Sequence, residues 1–383
     1  MRMKIIISFI SFCFLTSVAG AGDNVLPYKL KSGKPFAGTT LNILAVVTPQ
    51  FKSYELRDEE FESLTGITVN WTHIPFVALQ EKIASVGVAA DGSFDVVNYL
   101  DSWGPANAYW LESIDGWLKR DGISMDRYPE AFKKSAMFKG ETLGFPLRAH
   151  PMLMFYRKDL FAKHGLSVPE TWNDVASAGK TIKQKEGIGG LACYFGADGN
   201  RQNLFLWLNY IWATGTEVFD KQMKPAWATP SGLRATRDYV SLHTKHNICG
   251  KGAVSNVEQD GRIQFAQGNA AMMPVWWWAY SGFYNPNQSK LTKDQVGFAG
   301  MPSYQGKTVT YAISMPYSIS KYSKNKEASW EFMKWLSNPE LDRRNAIERS
   351  VRGEKIVNNV VTHKSSMADL GVNDANDNIQ MAA

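Results

Sequence analysis

Three consecutive tryptophans, Trp276-Trp277-Trp278, have the side chains best suited to hold a ligand. An indole face packs against the CH faces of pyranoses and polyols when flanking donors and acceptors meet the hydroxyls. On a strand, Trp276 and Trp278 share one face and Trp277 points the other way. Trp276 and Trp278 are therefore candidate contacts, Trp278 the stronger, with plain core packing as the competing reading. Trp103 joins them because it follows a predicted strand end. Arg148 lies in a long run without a helix stop. A guanidinium there can receive an anion, donate to sugar hydroxyls or pair with a carboxylate. Cys193 and Cys249 remain once an N-terminal leader is set aside, and in an oxidising compartment such a pair can form a disulfide; the alternative is two separate buried thiols. His243 and His246 share a helix face with Cys249 three residues on, a set that suits zinc. No fourth ligand is nearby, and Lys and His before Gly250 complement the end of a helix dipole. No metal site is assigned.

Other chemistries leave no trace. There is no phosphate-binding loop, and Gly187-Ile188-Gly189-Gly190 lacks the dinucleotide spacing. There is no G-x-S-x-G elbow and no H-E-x-x-H pair. Asp58, Glu59, Glu60 and Glu62 read as the solvated face of a helix. No catalytic residue and no cofactor are indicated. The 42 basic and 36 acidic residues give a net charge of +6. With no dense basic stripe, this argues against nucleic acid as a partner.

The elements that must position these residues follow an alternating rhythm. Strands are predicted over Leu41–Val47, Ile67–Trp71 and Phe94–Tyr99, with helices over Tyr54–Leu64 and Val77–Val88 between them. Such alternation implies a parallel sheet with helices on its faces. Ligands bind beyond the carboxyl ends of such strands, which singles out Thr48-Pro49-Gln50 and Asp101-Ser102-Trp103. Leu143–Asp159 reads as a strand crossing between two domains. Thr171 and Asp174 fit a capping box. Helices are expected over 202–213, 230–246 and 258–267, a second apolar run over Ala270–Trp278, and strands over Val296–Met301 and Thr308–Ile319. Ala328–Leu336 is an amphipathic helix. The tail from Val351 is polar and is expected at the surface. At the other end, a positive head (Arg2, Lys4), an apolar stretch from Ile5 to Leu15 and Ala19-Gly20-Ala21 form a secretory signal peptide over residues 1–21.

Six motifs, in order, carry a resemblance: Phe94-Asp95-Val96-Val97 with Asp101 and Trp103; Gly140-Glu141-Thr142-Leu143-Gly144-Phe145-Pro146; Tyr156-Arg157-Lys158-Asp159-Leu160-Phe161; Pro169-Glu170-Thr171-Trp172; Phe265-Ala266-Gln267-Gly268-Asn269-Ala270-Ala271-Met272; and Ser323-Lys324-Asn325-Lys326-Glu327-Ala328-Ser329-Trp330. Together they resemble bacterial extracellular solute-binding proteins of family 1, the periplasmic sugar receptors of ABC importers. The resemblance implies an α/β, two-lobe periplasmic binding protein fold of type II-like form. Each lobe is a mainly parallel sheet flanked by helices, and two or three hinge strands join the lobes near 147–152, 272–276 and 311–316. The first lobe is then expected from 39–148 plus 276–312 and the second from 152–271 plus 316–383. The implied function is to bind a sugar or sugar alcohol between the lobes, close on it by hinge motion, and deliver it to the permease subunits. The alternatives are an anionic solute (a sugar acid or phosphorylated polyol) held by Arg148, or a secreted carbohydrate-active enzyme. A periplasmic monomer without cofactor is implied. The family's sugar-binding carboxylate matches Asp101, its stacking aromatic matches Trp278, and Tyr311 stands near the third crossing. Arg157 replaces the Asn or Asp that many relatives carry. After Ala346 only 37 residues remain, where relatives continue for longer, so no C-terminal ligand contact is carried over.

Overall fold

A computed structural model describes residues 27–148, 150–197, 202–356 and 360–382. The expected signal peptide, residues 1–21, lies outside them. The strands are β1 (Thr40–Val46), β2 (Thr68–Ile74), β3 (Val96–Asn98), β4 (Met137–Phe138), β5 (Glu141–Thr142), β6 (His150–Arg157), β7 (Met272–Trp276), β8 (Val296–Ala299), β9 (Ala312–Ile313), β10 (Tyr317–Ile319), β11 (Ser350–Val351) and β12 (Glu354–Lys355). The first sheet has the order β10-β3-β1-β2. β1 runs parallel to β2, from Thr40↔Thr68 to Val46↔Ile74, and parallel to β3. These are the three strands expected from the alternating pattern. The apolar runs of β1 and β3 are buried, as in a parallel sheet covered by helices, whereas β2, at the sheet edge, keeps Thr68 and Asn70 exposed.

β10 closes the first sheet antiparallel to β3, pairing Tyr317 with Asn98. The helix Lys326–Leu336 then packs on the same lobe, with Phe332 5.5 Å from Phe61 and 5.7 Å from Trp71, and Trp330 5.6 Å from Trp117. The second sheet centres on β6, flanked antiparallel by β7 and β8. Among the described residues of this lobe, parallel pairing is confined to single bridges, Thr171↔Ser303, Gly189↔Ala270 and Leu191↔Cys249. The helix Trp172–Glu186 opens on the expected capping box at Thr171 and Asp174.

The allotment of the later segments to the lobes differs from expectation. Residues 276–312 do not return to the first lobe, because β8 pairs with β6. Residues 316–383 begin in the first sheet, not the second, through β10. The reason lies at 272–276, the expected second hinge. That segment pairs wholly within the second sheet, from Met152↔Trp276 to Tyr156↔Met272. Each crossing exchanges lobes, so the loss of one crossing reverses the lobe assignment of every later segment. The crossings that remain run side by side and antiparallel. Phe145 bridges Tyr317, Met315 N–H donates to the Leu147 carbonyl (2.9 Å), and Met152 N–H donates to the Tyr311 carbonyl (3.2 Å).

The polar tail is not simply surface. Val360, Val361, Val372 and Ile379 are buried, and the Thr362 N–H donates to Asp342 (3.0 Å) beside the helix Pro339–Ile347. Isolated apolar residues in a polar context have no periodicity to announce them. The tail then reaches the second lobe, where Lys293 pairs with Asp377 at 2.7 Å. Among the described residues no helix is long and apolar enough to cross a membrane.

Candidate functional site

A cavity of about 930 Å³ opens between the two lobes. Its first wall is the segment after β1. There the Thr48 side chain accepts from the Phe51 N–H (3.3 Å), which caps the helix Pro49–Glu55 and fixes where Gln50 stands. Gln50 is buried and its Oε1 has no hydrogen-bond partner. A buried unmet acceptor is costly, and here it lies on the wall of a cavity that can supply a donor. Arg148 contributes from the first crossing. Trp278 and Arg262 face them from the second lobe, and Arg349, Lys355 and Asp377 come from the tail. The tail therefore lines the cavity, although no contact from beyond Ala346 was carried over from the resemblance.

Trp278 is where the sequence placed a ligand contact, but by a different route. β7 ends at Trp276, and Trp277–Tyr284 is a 3-10 helix, so strand alternation does not govern the triplet. Trp276 and Trp277 are buried in the core, and only Trp278 remains half-exposed. Its ring lies 5.7 Å from the Arg148 guanidinium carbon and 5.0 Å from that of Arg262, both cation–π distances. Arg262 is held by Glu258 at 2.6 Å. Arg148 presents Nη1 to the Met315 sulfur (3.1 Å), while its Nε is buried without a partner. Burial lowers its pKa to about 10.

Asp101, Trp103, Trp276 and Tyr311 are not on the walls of this cavity. Trp103 is buried and stacked on Phe76 at 5.6 Å. The other three belong to a second cluster beside the crossings. Asp101 follows β3 and accepts from the N–H groups of Ser102 (2.6 Å) and Ser314 (3.1 Å), and from the Tyr311 hydroxyl at 3.4 Å. Burial raises its pKa to about 7 against the pull of those donors. Tyr311 stacks on Phe205 at 4.3 Å, and Phe205 meets Trp276 edge-on at 5.4 Å. A carboxylate of the first lobe thus touches a tyrosine of the second. Gln50 belongs to the segment Thr48-Pro49-Gln50 that the sequence singled out beyond the first strand, and it stands on the cavity wall. Arg262, Arg349 and Lys355 carried no signal, because a lone basic residue on a helix or in a polar tail reads as solvated.

Among the described residues the cavity wall holds a single carboxylate, Asp377, whereas glycoside hydrolysis ordinarily uses two. No cluster of His, Cys, Asp or Glu able to hold a metal occurs among them. Cys249 is oxidised: a disulfide joins it to Cys193, with Cα atoms 5.4 Å apart.

The model of one protein family, described as bacterial extracellular solute-binding protein, matches residues 46–342. A mannitol-binding protein of Pseudomonas aeruginosa is 27% identical over 285 residues, covering 72% of this chain and 64% of that protein. A solute-binding protein of an ABC transporter from Agrobacterium radiobacter K84, solved with ribitol, superposes with a TM-score of 0.73 at 25% identity, covering 91% of this chain and 86% of that one. One from Agrobacterium vitis S4, solved with D-mannitol, gives 0.70 at 25% identity, covering 90% and 82%. With its two-lobe fold, its interlobe cavity and a family match over more than half its length, the chain belongs to the bacterial extracellular solute-binding proteins.

Proposed function

We propose that this chain is the receptor of an ABC importer. It binds a sugar or sugar alcohol in the interlobe cavity, closes about the paired crossing strands, and presents the closed form to the permease. The observation that carries this reading is the cavity itself. At about 930 Å³ it falls within the ~300–1,000 Å³ typical of small-molecule sites. It also combines an aromatic ring with an unmet buried acceptor, the pairing that a hydroxylated solute requires. The similarity to mannitol- and ribitol-binding proteins supports the same class. Binding without turnover is favoured by the single wall carboxylate. Export through the leader at residues 1–21 and a monomeric receptor complete the proposal.

Thermal unfolding of residues 22–383 against a panel of hexitols, pentitols, hexoses, disaccharides and sugar acids tests it. A solute at about 100 times its Kd stabilises the native state by roughly 2.7 kcal/mol. One or a few stabilising members are expected, each recovered unchanged after hours of incubation. Turnover of the solute would replace the receptor with an enzyme.

A further inference from the structure

The cavity is far more basic than the protein that surrounds it. From Gly22 onward the chain carries 40 basic residues against 36 acidic, since residues 1–21 hold two basic and no acidic ones. The cavity wall alone holds Arg148, Arg262, Lys293, Arg349 and Lys355 against Asp377. Two of these cations are neutralised in place, Arg262 by Glu258 (2.6 Å) and Lys293 by Asp377 (2.7 Å). Arg148, Arg349 and Lys355 make no ion pair among the described residues. Among the described residues Arg349 donates to the carbonyls of Ala346 (2.9 Å) and Ala375, which orients the guanidinium and leaves its charge. The three come from two separate parts of the chain: Arg148 from the first crossing, and Arg349 and Lys355 from the β11–β12 hairpin, where the Ile356 N–H donates to the Arg349 carbonyl (3.0 Å).

The aromatic ring points the same way. Two guanidiniums already engage Trp278, so the indole serves at least partly to hold cations in the cavity. A neutral polyol calls for as many acceptors as donors, and here charged donors dominate. Like charges around one cavity repel each other, and an anion between them relieves that repulsion.

We propose that the solute is a polyhydroxylated anion, a sugar acid or a polyol phosphate, whose acidic group is met by Arg148, Arg349 and Lys355 and whose hydroxyls are met by Gln50 and Thr48. This rests on the receptor reading and replaces its neutral sugar or sugar alcohol with an acidic derivative of one.

Titration calorimetry on residues 22–383 in low salt, with D-mannitol, D-mannonate, D-mannitol 1-phosphate and inorganic phosphate, together with the matching ribitol series, tests it. At least one acid or phosphate is expected to bind ten-fold or more tightly than its parent alcohol, and the preferred arm separates carboxylate from phosphate. Its affinity is expected to fall several-fold between 20 and 300 mM NaCl. Arg148→Gln is expected to remove most of the preference. Lys355→Gln, on an exposed hairpin where folding is not at stake, is expected to weaken the anion about three-fold and the alcohol by less. Parent alcohols that bind as tightly as their acids and phosphates would overturn the inference while the receptor reading stands. Inorganic phosphate that binds as tightly as the phosphorylated polyol would also overturn it, leaving a simple anion site. Binding by no member of either series, in a folded sample that a hexose or disaccharide stabilises, would overturn the inference while the receptor reading stands.

Discussion

Arg148 sits at φ 48°, a left-handed conformation that costs a non-glycine residue roughly 1–2 kcal/mol. Strain of this kind persists where the side chain is needed and the surroundings hold it. Arg148→Gly should therefore unfold within about 1 kcal/mol of the native chain in urea, since relief of strain offsets lost packing and added chain freedom, and yet lose solute binding. A large fall in stability would show that the guanidinium is a structural member. Asp101 makes a pH-dependent prediction. Its folded pKa is raised from 3.8 to about 7, first by burial. The stability it contributes is thus full below about pH 4 and is lost as pH rises through 7. The melting temperature of the native chain minus that of Asp101→Asn should decline between pH 5 and pH 8. A constant difference would mean that Asp101 does not titrate there. Both residues were legible in the sequence as positions at a strand end and in a crossing. The separation of Arg148 onto the cavity wall and Asp101 into the Tyr311 cluster was not, because it depends on which side of the crossing each side chain takes.

Among the elements, β10 is the clearest case of a strand set by a close approach. A Cβ at Gly144 would overlap the Tyr317 carbonyl and crowd the Ser318 hydroxyl, which it would meet at 2.6 Å. Gly144 is one of the motif residues read from the sequence, and this contact supplies its physical reason. Gly144→Ala should push β10 off β3 and cost about 3 kcal/mol or more, an overpacking effect at the upper end of its range. Near-native stability in urea would show that the two segments separate freely. The alternating strands β1 to β3 and the capping box at Thr171 were legible because they are local. Each is fixed by apolar period or by residues three apart. The end of β7 at Trp276 was not, since an apolar triplet fits a strand or a helix equally. The small strands β9, β11 and β12 are too short to carry a period.

At the scale of the molecule, the number of crossings decides which lobe owns each segment. Apolar runs announce strands but not their partners, so 272–276 looked like a hinge and proved to be an edge strand within the second sheet. The disulfide was legible as a possible pair, and its partner distance became known only with the fold. It closes a loop between residues 56 apart, for which loop entropy gives about 4 kcal/mol. Cys193→Ser with Cys249→Ser should lower stability by about 3–4 kcal/mol in urea and leave solute specificity unchanged. An altered solute profile would mean that the bond shapes the cavity from a distance.

The central claim is that one solute binds between the lobes, against Gln50 and Trp278. The most direct measurement is titration calorimetry of residues 22–383 and of Gln50→Ala and Trp278→Ala with the carbohydrate that stabilises the native chain most. One solute per chain is expected, with at least a ten-fold loss of affinity in both variants and their unliganded melting temperatures within a few degrees of the native chain. Native affinity retained in both variants would place the solute elsewhere and contradict it.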